Sequence, residues 1–263
     1  MPSVSVNGVE LSFEKYGIGA IPMVFVHGYS GRASVYQRLY DALWNDFTIY
    51  ALDLRSHGGS KAIDRDCTTR QWVDDIVAFS AALGVEQPVF AGHSLGGALG
   101  LAAAIQQRDA FRAVCLLCTL PAAGGITVPA DLVTAILNAH GNRPVMRENY
   151  RGMFVHGPSD TEIDVYVDAA CEVPAAPYRL YQTREMVQFN VADSLGDITV
   201  PVLVLSGALD SVCPPAEQHK TAMGLRKYKE VSFSDEGHML PIERPVRTAR
   251  EIIGFVRGIS DDA

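Results

Sequence analysis

The chain has 263 residues, long enough to bury one sizeable core with room for an inserted lobe. Hydrophobic residues make up 48% and charged residues 20%, which excludes a disordered or fibrous chain. A formal net charge of -8 argues against nucleic acid or an anionic membrane surface as a partner, and is most simply a solubility feature.

Val4 to Tyr16 predicts a hairpin, because alternating apolar residues flank the turn pair Asn7-Gly8. Met23 to Val26 is a short apolar run ending at His27-Gly28 and reads as a buried strand. Phe47 to Leu54 predicts a second strand. Thr68 to Leu83 predicts a helix: Thr68 and Gln71 have capping-box spacing, Trp72, Ile76, Phe79 and Leu83 share a face, and Gly84 stops it. Pro88 to Ala91 reads as strand and Leu95 to Gln107 as helix. Phe111 to Leu120, Pro201 to Ser206 and Lys229 to Phe233 follow as strands. Arg247 to Val256 closes the chain as a helix, with Val246, Ala249, Ile253 and Val256 on one face and Gly258 beyond its end. Asp261-Asp262 reads as a solvated tail.

Apolar strands alternating with helices predict an α/β fold: a mainly parallel sheet flanked by helices. Residues 121–190 break the alternation with helical patterns only. They predict an inserted helical cap, leaving 1–120 and 191–263 as the core domain.

The five cysteines are odd in number and scattered. Cys115 and Cys118 form a C-x-x-C inside an apolar run, where strand geometry points them to opposite faces, and no second pair completes a zinc site. Free thiols fit a reducing compartment. Met1 to Glu10 lacks the pattern of a signal peptide, so a cytoplasmic location is expected. Pro88 to Ile105 carries His93, Ser94 and four glycines, which suits strand, turn and helix better than a membrane span.

Gly92-His93-Ser94-Leu95-Gly96 carries the central signal. A serine hydroxyl needs a base to take its proton. This pentapeptide sets the serine on a sharp turn from strand to helix, with glycines clearing space and helix N–H groups favouring negative charge. The base is expected to be His238, in a loop after the last strand. His93 reads as packing in the elbow, His57 as shaping a turn and His27 as bonding locally. His140, His156 and His219 read as surface or cap residues. The acid is expected to be Asp210, after the strand Val202 to Leu205, where it would hold the imidazole tautomer. Asp235 is the weaker alternative, being close to His238 in sequence. The oxyanion hole is assigned to the backbone N–H groups of Tyr29 and Leu95.

His27-Gly28-Tyr29-Ser30, Asp53 to Ser60, Gly92 to Gly97, Leu205 to Asp210 and Glu236-Gly237-His238 together resemble the α/β-hydrolase superfamily along nearly the full length. The nucleophile is serine, unlike the haloalkane dehalogenases and epoxide hydrolases that use aspartate there. Some hydrolases of this type carry the acid one strand earlier, but Thr119 to Ala130 contains no carboxylate. The chain looks most like small esterases, lactonases and carbon–carbon bond hydrolases with a helical cap.

That resemblance implies cleavage of a hydrophobic ester or lactone through an acyl-enzyme. The alternatives are a carbon–carbon bond hydrolase of vinylogous diketones, a cofactor-free perhydrolase or haloperoxidase, and a slow-turnover ligand receptor. No H-E-x-x-H, P-loop or G-x-G-x-x-G after a strand is present, so neither metal nor organic cofactor is expected. Apolar residues of the cap are Leu132, Val133, Ile136, Leu137, Tyr150, Met153, Phe154, Ile163, Val165, Tyr166, Val167, Tyr178, Leu180, Tyr181, Met186 and Phe189. Most bury the cap on the core, and a subset roofs the site. Tyr29, Met153, Phe154 and Met239 are the expected substrate contacts. Arg143, Arg147, Arg151 and Arg184 are candidates to hold a substrate carboxylate, though helix-surface arginines are the commoner explanation.

Overall fold

The computed structural model describes residues 1–60, 67–123 and 130–261. Pro129, Asp262 and the side chains of Leu132, Val133 and Ile136 lie outside what is described. Strands β1 (Ser3–Val6) and β2 (Val9–Tyr16) form the expected hairpin, with Asn7 at φ 48° and Gly8 at φ 72°. Two left-handed residues in succession match the twist of the paired strands, which is why Asn-Gly stands there.

The remaining strands are β3 (Ile21–Val26), β4 (Phe47–Leu52), β5 (Val89–His93), β6 (Ala113–Leu117), β7 (Val202–Gly207) and β8 (Tyr228–Phe233). They join one eight-stranded sheet in the order β1-β2-β4-β3-β5-β6-β7-β8. The pairings of β1 with β2 and of β2 with β4 are antiparallel, and all others are parallel. Alternate side chains feed two cores. Val24, Val26, Val114, Leu116, Val202 and Val204 pack on one face with helices α2 (Thr69–Ala82) and α3 (Leu95–Gln106). Met23, Phe25, Cys115, Leu117, Leu203 and Leu205 pack on the other with α1 (Gln37–Leu43) and the C-terminal helix. A parallel sheet covered on both faces explains why its strands are continuously apolar. The capping box between Thr68 and Gln71 is formed as read.

Some expectations need correction. The strand from Phe47 stops at Leu52, and the one from Phe111 is confined to Ala113–Leu117. Cys118 therefore lies beyond the strand at φ 44° and joins the same core as Cys115, so the alternation argument for opposite faces does not apply. The last helix runs Pro245–Asp261, with Gly258 inside it. Its buried face carries Ala249, Ile252 and Val256, while Val246 is 64% exposed. Helix α1 and the helix Pro215–Met223 were not foreseen: both are short, and neither has a side-chain cap.

Between β6 and β7 the described residues form helices α4 (Ala130–Ala139), α5 (Arg143–Arg151), α6 (Asp160–Glu172), α7 (Ala175–Leu180) and α8 (Met186–Gln188). A π-helical turn, Tyr181–Glu185, joins the last two. Met146, Ile163, Val167 and Ala170 form a small core of their own. Arg143–Asp168, Arg147–Asp164 and Arg151–Asp160 make a ladder of ion pairs along α5 and α6. In chain order the helices Pro215–Met223, Leu240–Glu243 and Pro245–Asp261 become α9, α10 and α11. No helix among the described residues is long and apolar enough to cross a membrane.

Candidate active site

Three loops at the C-terminal ends of β5, β7 and β8 converge on one point. β5 leads straight into Ser94, which sits at φ 52° and ψ -117° and starts α3. A left-handed serine is strained by about 1–2 kcal/mol, so the surroundings must hold it. They do: its N–H donates to Leu117 O at 3.0 Å, and its carbonyl accepts from Gly97, Ala98 and Leu120. A Cβ at Gly92 would strike the Gly96 carbonyl, and one at Gly96 would strike the carbonyl of Val26. The glycines of the pentapeptide are thus required by close approach of backbone.

His238 Nε2 lies 3.1 Å from Ser94 Oγ, and His238 Nδ1 lies 3.0 Å from Asp210 Oδ2. Asp210 follows β7 and is itself pinned. Its Oδ1 accepts from the N–H groups of Val212 at 2.9 Å and Cys213 at 2.7 Å, and its Oδ2 faces Gln218 Nε2 at 3.4 Å. A carboxylate can only accept, so the proton of His238 sits on Nδ1 and Nε2 presents its lone pair to the serine hydroxyl. All three side chains are buried. Asp235, the alternative acid, is exposed and pairs with Arg247.

Tyr29 and Leu95, the expected oxyanion donors, follow Gly28 and Ser94 in the chain. A Cβ at Gly28 would come within 3.3 Å of Ser94 Cβ, so the loop after β3 runs directly beside the serine. Gly28 N–H donates to Tyr36 Oη and Ser30 N–H to His57 Nε2. The N–H groups of Tyr29 and Leu95 have no partner among the described residues.

His93 does more than the packing expected of it. Its Nε2 donates to the carbonyl of His238 at 2.9 Å, so its Nδ1 accepts from Tyr36 Oη at 2.8 Å. Tyr36 in turn accepts from Gly28 N–H at 3.1 Å. One continuous chain of hydrogen bonds therefore links the loop after β3 to the backbone of His238. Nothing local in the sequence signals it, because the partners lie 57 and 145 residues from His93. Of the others, His27 bonds the Gly28 carbonyl and Leu54 N–H, and His57 the Arg55 carbonyl and Ser30 N–H. His140 bonds the Val173 carbonyl, while His156 meets Glu236 and His219 meets Glu230.

Burial lowers the pKa of His27 to about 4, and of His57 and His93 to about 3. These rings are neutral in the folded state, whereas the unfolded chain protonates them near the ordinary value of about 6.5. Protons then favour unfolding, so stability is expected to fall as pH drops from about 6.5 toward 4, by up to about 1.4 kcal/mol per pH unit for each histidine. Urea unfolding at about pH 7.5 and pH 5 checks this, and equal midpoints would contradict it.

Ser94 and His238 open into a cavity of about 400 Å³. Tyr29, Tyr36, Tyr150, Tyr166, Tyr178 and Tyr181 line it with Met146, Met153, Met186 and Met239. Tyr29, Met153 and Met239 thus line the cavity as expected. Phe154 does not: it packs edge-on against Tyr166, with ring centres 5.6 Å apart. Among the described residues no Arg or Lys lines the cavity. Arg143, Arg147, Arg151 and Arg184 are each in ion pairs, the last with Glu185. Tyr36, Met146 and Gln182 are lining residues that the sequence reading missed.

Asp210, Cys213 and His238 are the one group of potential metal-ligating side chains found among the described residues, with ligating atoms within 4.8 Å of one another. Burial pushes the Cys213 thiol well above its ordinary range, and Asp210 and His238 are already bonded to each other.

Residues 23–251 match the profile of the alpha/beta hydrolase family. The chain belongs to that family. A 2-(acetamidomethylene)succinate hydrolase of Mesorhizobium japonicum is 24% identical, over 96% of this chain and 94% of that protein. The 3-oxoadipate enol-lactonase 1 of Acinetobacter baylyi is 22% identical, over 98% of this chain and 93% of its own length. A thermophilic esterase from Thermogutta terrifontis superposes with a TM-score of 0.84 at 23% identity, covering 98% of this chain and 97% of that one. For an alpha/beta hydrolase, the sheet order and the loops converging on Ser94 are the expected framework.

Proposed function

We propose that the protein is a serine hydrolase of an uncharged, largely apolar ester or lactone, working through an acyl-enzyme. The observation that carries this reading is the buried relay from Asp210 to His238 to Ser94, at 3.0 and 3.1 Å, opening on a cavity walled by tyrosine and methionine. His238 Nε2 takes the Ser94 proton as Oγ attacks the carbonyl carbon. The carbonyl oxygen gathers charge against the N–H groups of Tyr29 and Leu95. The tetrahedral intermediate collapses, the bond to the leaving oxygen breaks, and His238 returns the proton to it. Water, deprotonated by the same imidazole, then attacks the acyl-enzyme and releases the acid and Ser94. Asp210 holds the tautomer and stabilises the imidazolium. Residues 121–190 act as the lid that selects what enters.

An enol-lactonase and an esterase among the similar proteins support ester or lactone chemistry. Two of the relatives are named for succinate and oxoadipate compounds, which are carboxylates. The lining described here offers such a group hydroxyls, amides and sulfur rather than a cation, so a neutral substrate is the better match. Pre-steady-state hydrolysis of p-nitrophenyl acetate tests the reading. A burst of nitrophenol followed by steady release is expected. A burst with no steady state would contradict turnover and favour a slow receptor.

A further inference from the structure

Gln182 is 8% exposed and lines the cavity that Ser94 opens into. It lies in the π-helical turn Tyr181–Glu185. Tyr178, Gln182 and Met186 recur at a spacing of four, and all three are buried and line the cavity. Arg179, Thr183, Arg184 and Val187, on the other side of the same segment, are exposed. The Gln182 side chain therefore points inward, between Tyr178 and Met186, and not to the outer surface. Its amide makes no hydrogen bond to a described residue, yet it is not sealed off as the unpaired Ser206 Oγ is. Both Oε1 and Nε2 thus keep accessible surface, and the open space on this face of the segment is the cavity. Tyr29 Oη and Tyr150 Oη, by contrast, are already bonded to the Tyr178 carbonyl and to Ser30 Oγ. An unpaired amide on a buried face is costly. Met146, Met153 and Met186 line the same cavity without that cost.

We propose that Gln182 is the polar anchor for the substrate, pairing edge to edge with an uncharged group that offers an acceptor and a donor side by side: a primary carboxamide or a ring lactam. Nε2–H donates to its carbonyl, and Oε1 accepts from its N–H. The substrate class is then an ester or lactone that carries such an amide away from the bond that Ser94 attacks. This rests on the serine-hydrolase reading and narrows it. A keto oxygen would satisfy Nε2 and leave Oε1 unpaired, and an alkyl group would leave both unpaired. A carboxylate would repel Oε1 and meet no cation among the described lining residues.

The test uses p-nitrophenyl esters whose acyl chains end in groups of equal size: a carboxamide, a methyl ketone, an isopropyl group or a carboxylate, over a series of chain lengths. In the wild type, at one chain length or more, the carboxamide ester should exceed the other three in kcat/KM. In Gln182→Met the carboxamide-to-isopropyl ratio should fall about tenfold or more, because methionine has similar length and neither donates nor accepts as an amide does. Gln182→Glu keeps the shape without the donor and should also lower that ratio, so it carries the test if the methionine variant does not fold. A merely structural glutamine would slow all four esters alike and leave the ratio unchanged. The proposal is overturned if no chain length favours the carboxamide in the wild type, if the carboxylate ester is used as well or better, or if the ratio survives in the variants. Fluorophosphonate labelling of Ser94 separates the two levels: absence of labelling in the wild type would overturn the hydrolase reading itself, whereas labelling with no carboxamide preference overturns only the role of Gln182.

Discussion

Ser94→Ala is expected to reduce ester hydrolysis by about 10⁴-fold or more while leaving the fold intact. The loss is large because, among the described residues, Ser94 Oγ is the hydroxyl bonded to His238 Nε2, while the lining hydroxyls of Ser30 and Tyr36 are bonded to Tyr150 and His93. Alanine keeps the same Cβ at φ 52°, so it neither adds nor relieves backbone strain. It removes the hydroxyl with its bond to His238 Nε2 and its interaction with the Cys213 thiol. The thermal midpoint should therefore be equal to or above that of the wild type. Steady-state rates with calorimetry on the same preparation check both halves. Retained activity would remove Ser94 from the mechanism, and a collapsed melting transition would make the lost rate uninformative about chemistry.

Asp210→Asn should cost about 10³- to 10⁴-fold in kcat, mostly through the tautomer of His238 rather than through packing. The direction follows from which donors hold the side chain. Oδ1 accepts from Val212 and Cys213 N–H, so the asparagine oxygen must stay there and its amide nitrogen must face His238. An N–H facing Nδ1 forces that nitrogen to accept, and the ring proton moves to Nε2. His238 then meets the serine hydroxyl with a donor instead of a lone pair. KM should change little, because the Asp210 side chain is not part of the cavity lining. The kcat and KM values for one ester, with a check of folded structure by circular dichroism, test this. A rate within about threefold of the wild type would contradict the role given to Asp210, since the effect expected of a lost acid is far larger.

Local chemistry made the centre of this site readable in advance. The strand before Gly92, the glycines and the helix after Ser94 all lie within one short stretch, and the glycines are required by backbone contacts inside that stretch and with β3. The parallel strands were legible because burial on both faces leaves continuous apolar runs. Asp210 and His238 were legible from loop position relative to those strands. What escaped depends on distant partners. The bonds of His93 to Tyr36 and to the His238 carbonyl join segments that no periodicity connects. The cavity face of the helices after β6 was equally hidden. Phe154 and Met153 are adjacent and both large and apolar, but only Met153 reaches the cavity. On α11, Ala249 and Val256 are buried and Ile253 packs on the core as read, but Val246 has the right spacing and yet lies at an end of the helix, where it is exposed. Helices α1 and α9 are too short for a hydrophobic period to stand out.

The central claim is that Ser94 is an activated nucleophile at the floor of the cavity. Peptide mapping by mass spectrometry after treatment of the wild-type protein with a fluorophosphonate tests it most directly. The account predicts a single adduct, on Ser94, formed together with complete loss of esterase activity. An adduct on another residue, or full inhibition with Ser94 unmodified, would contradict it.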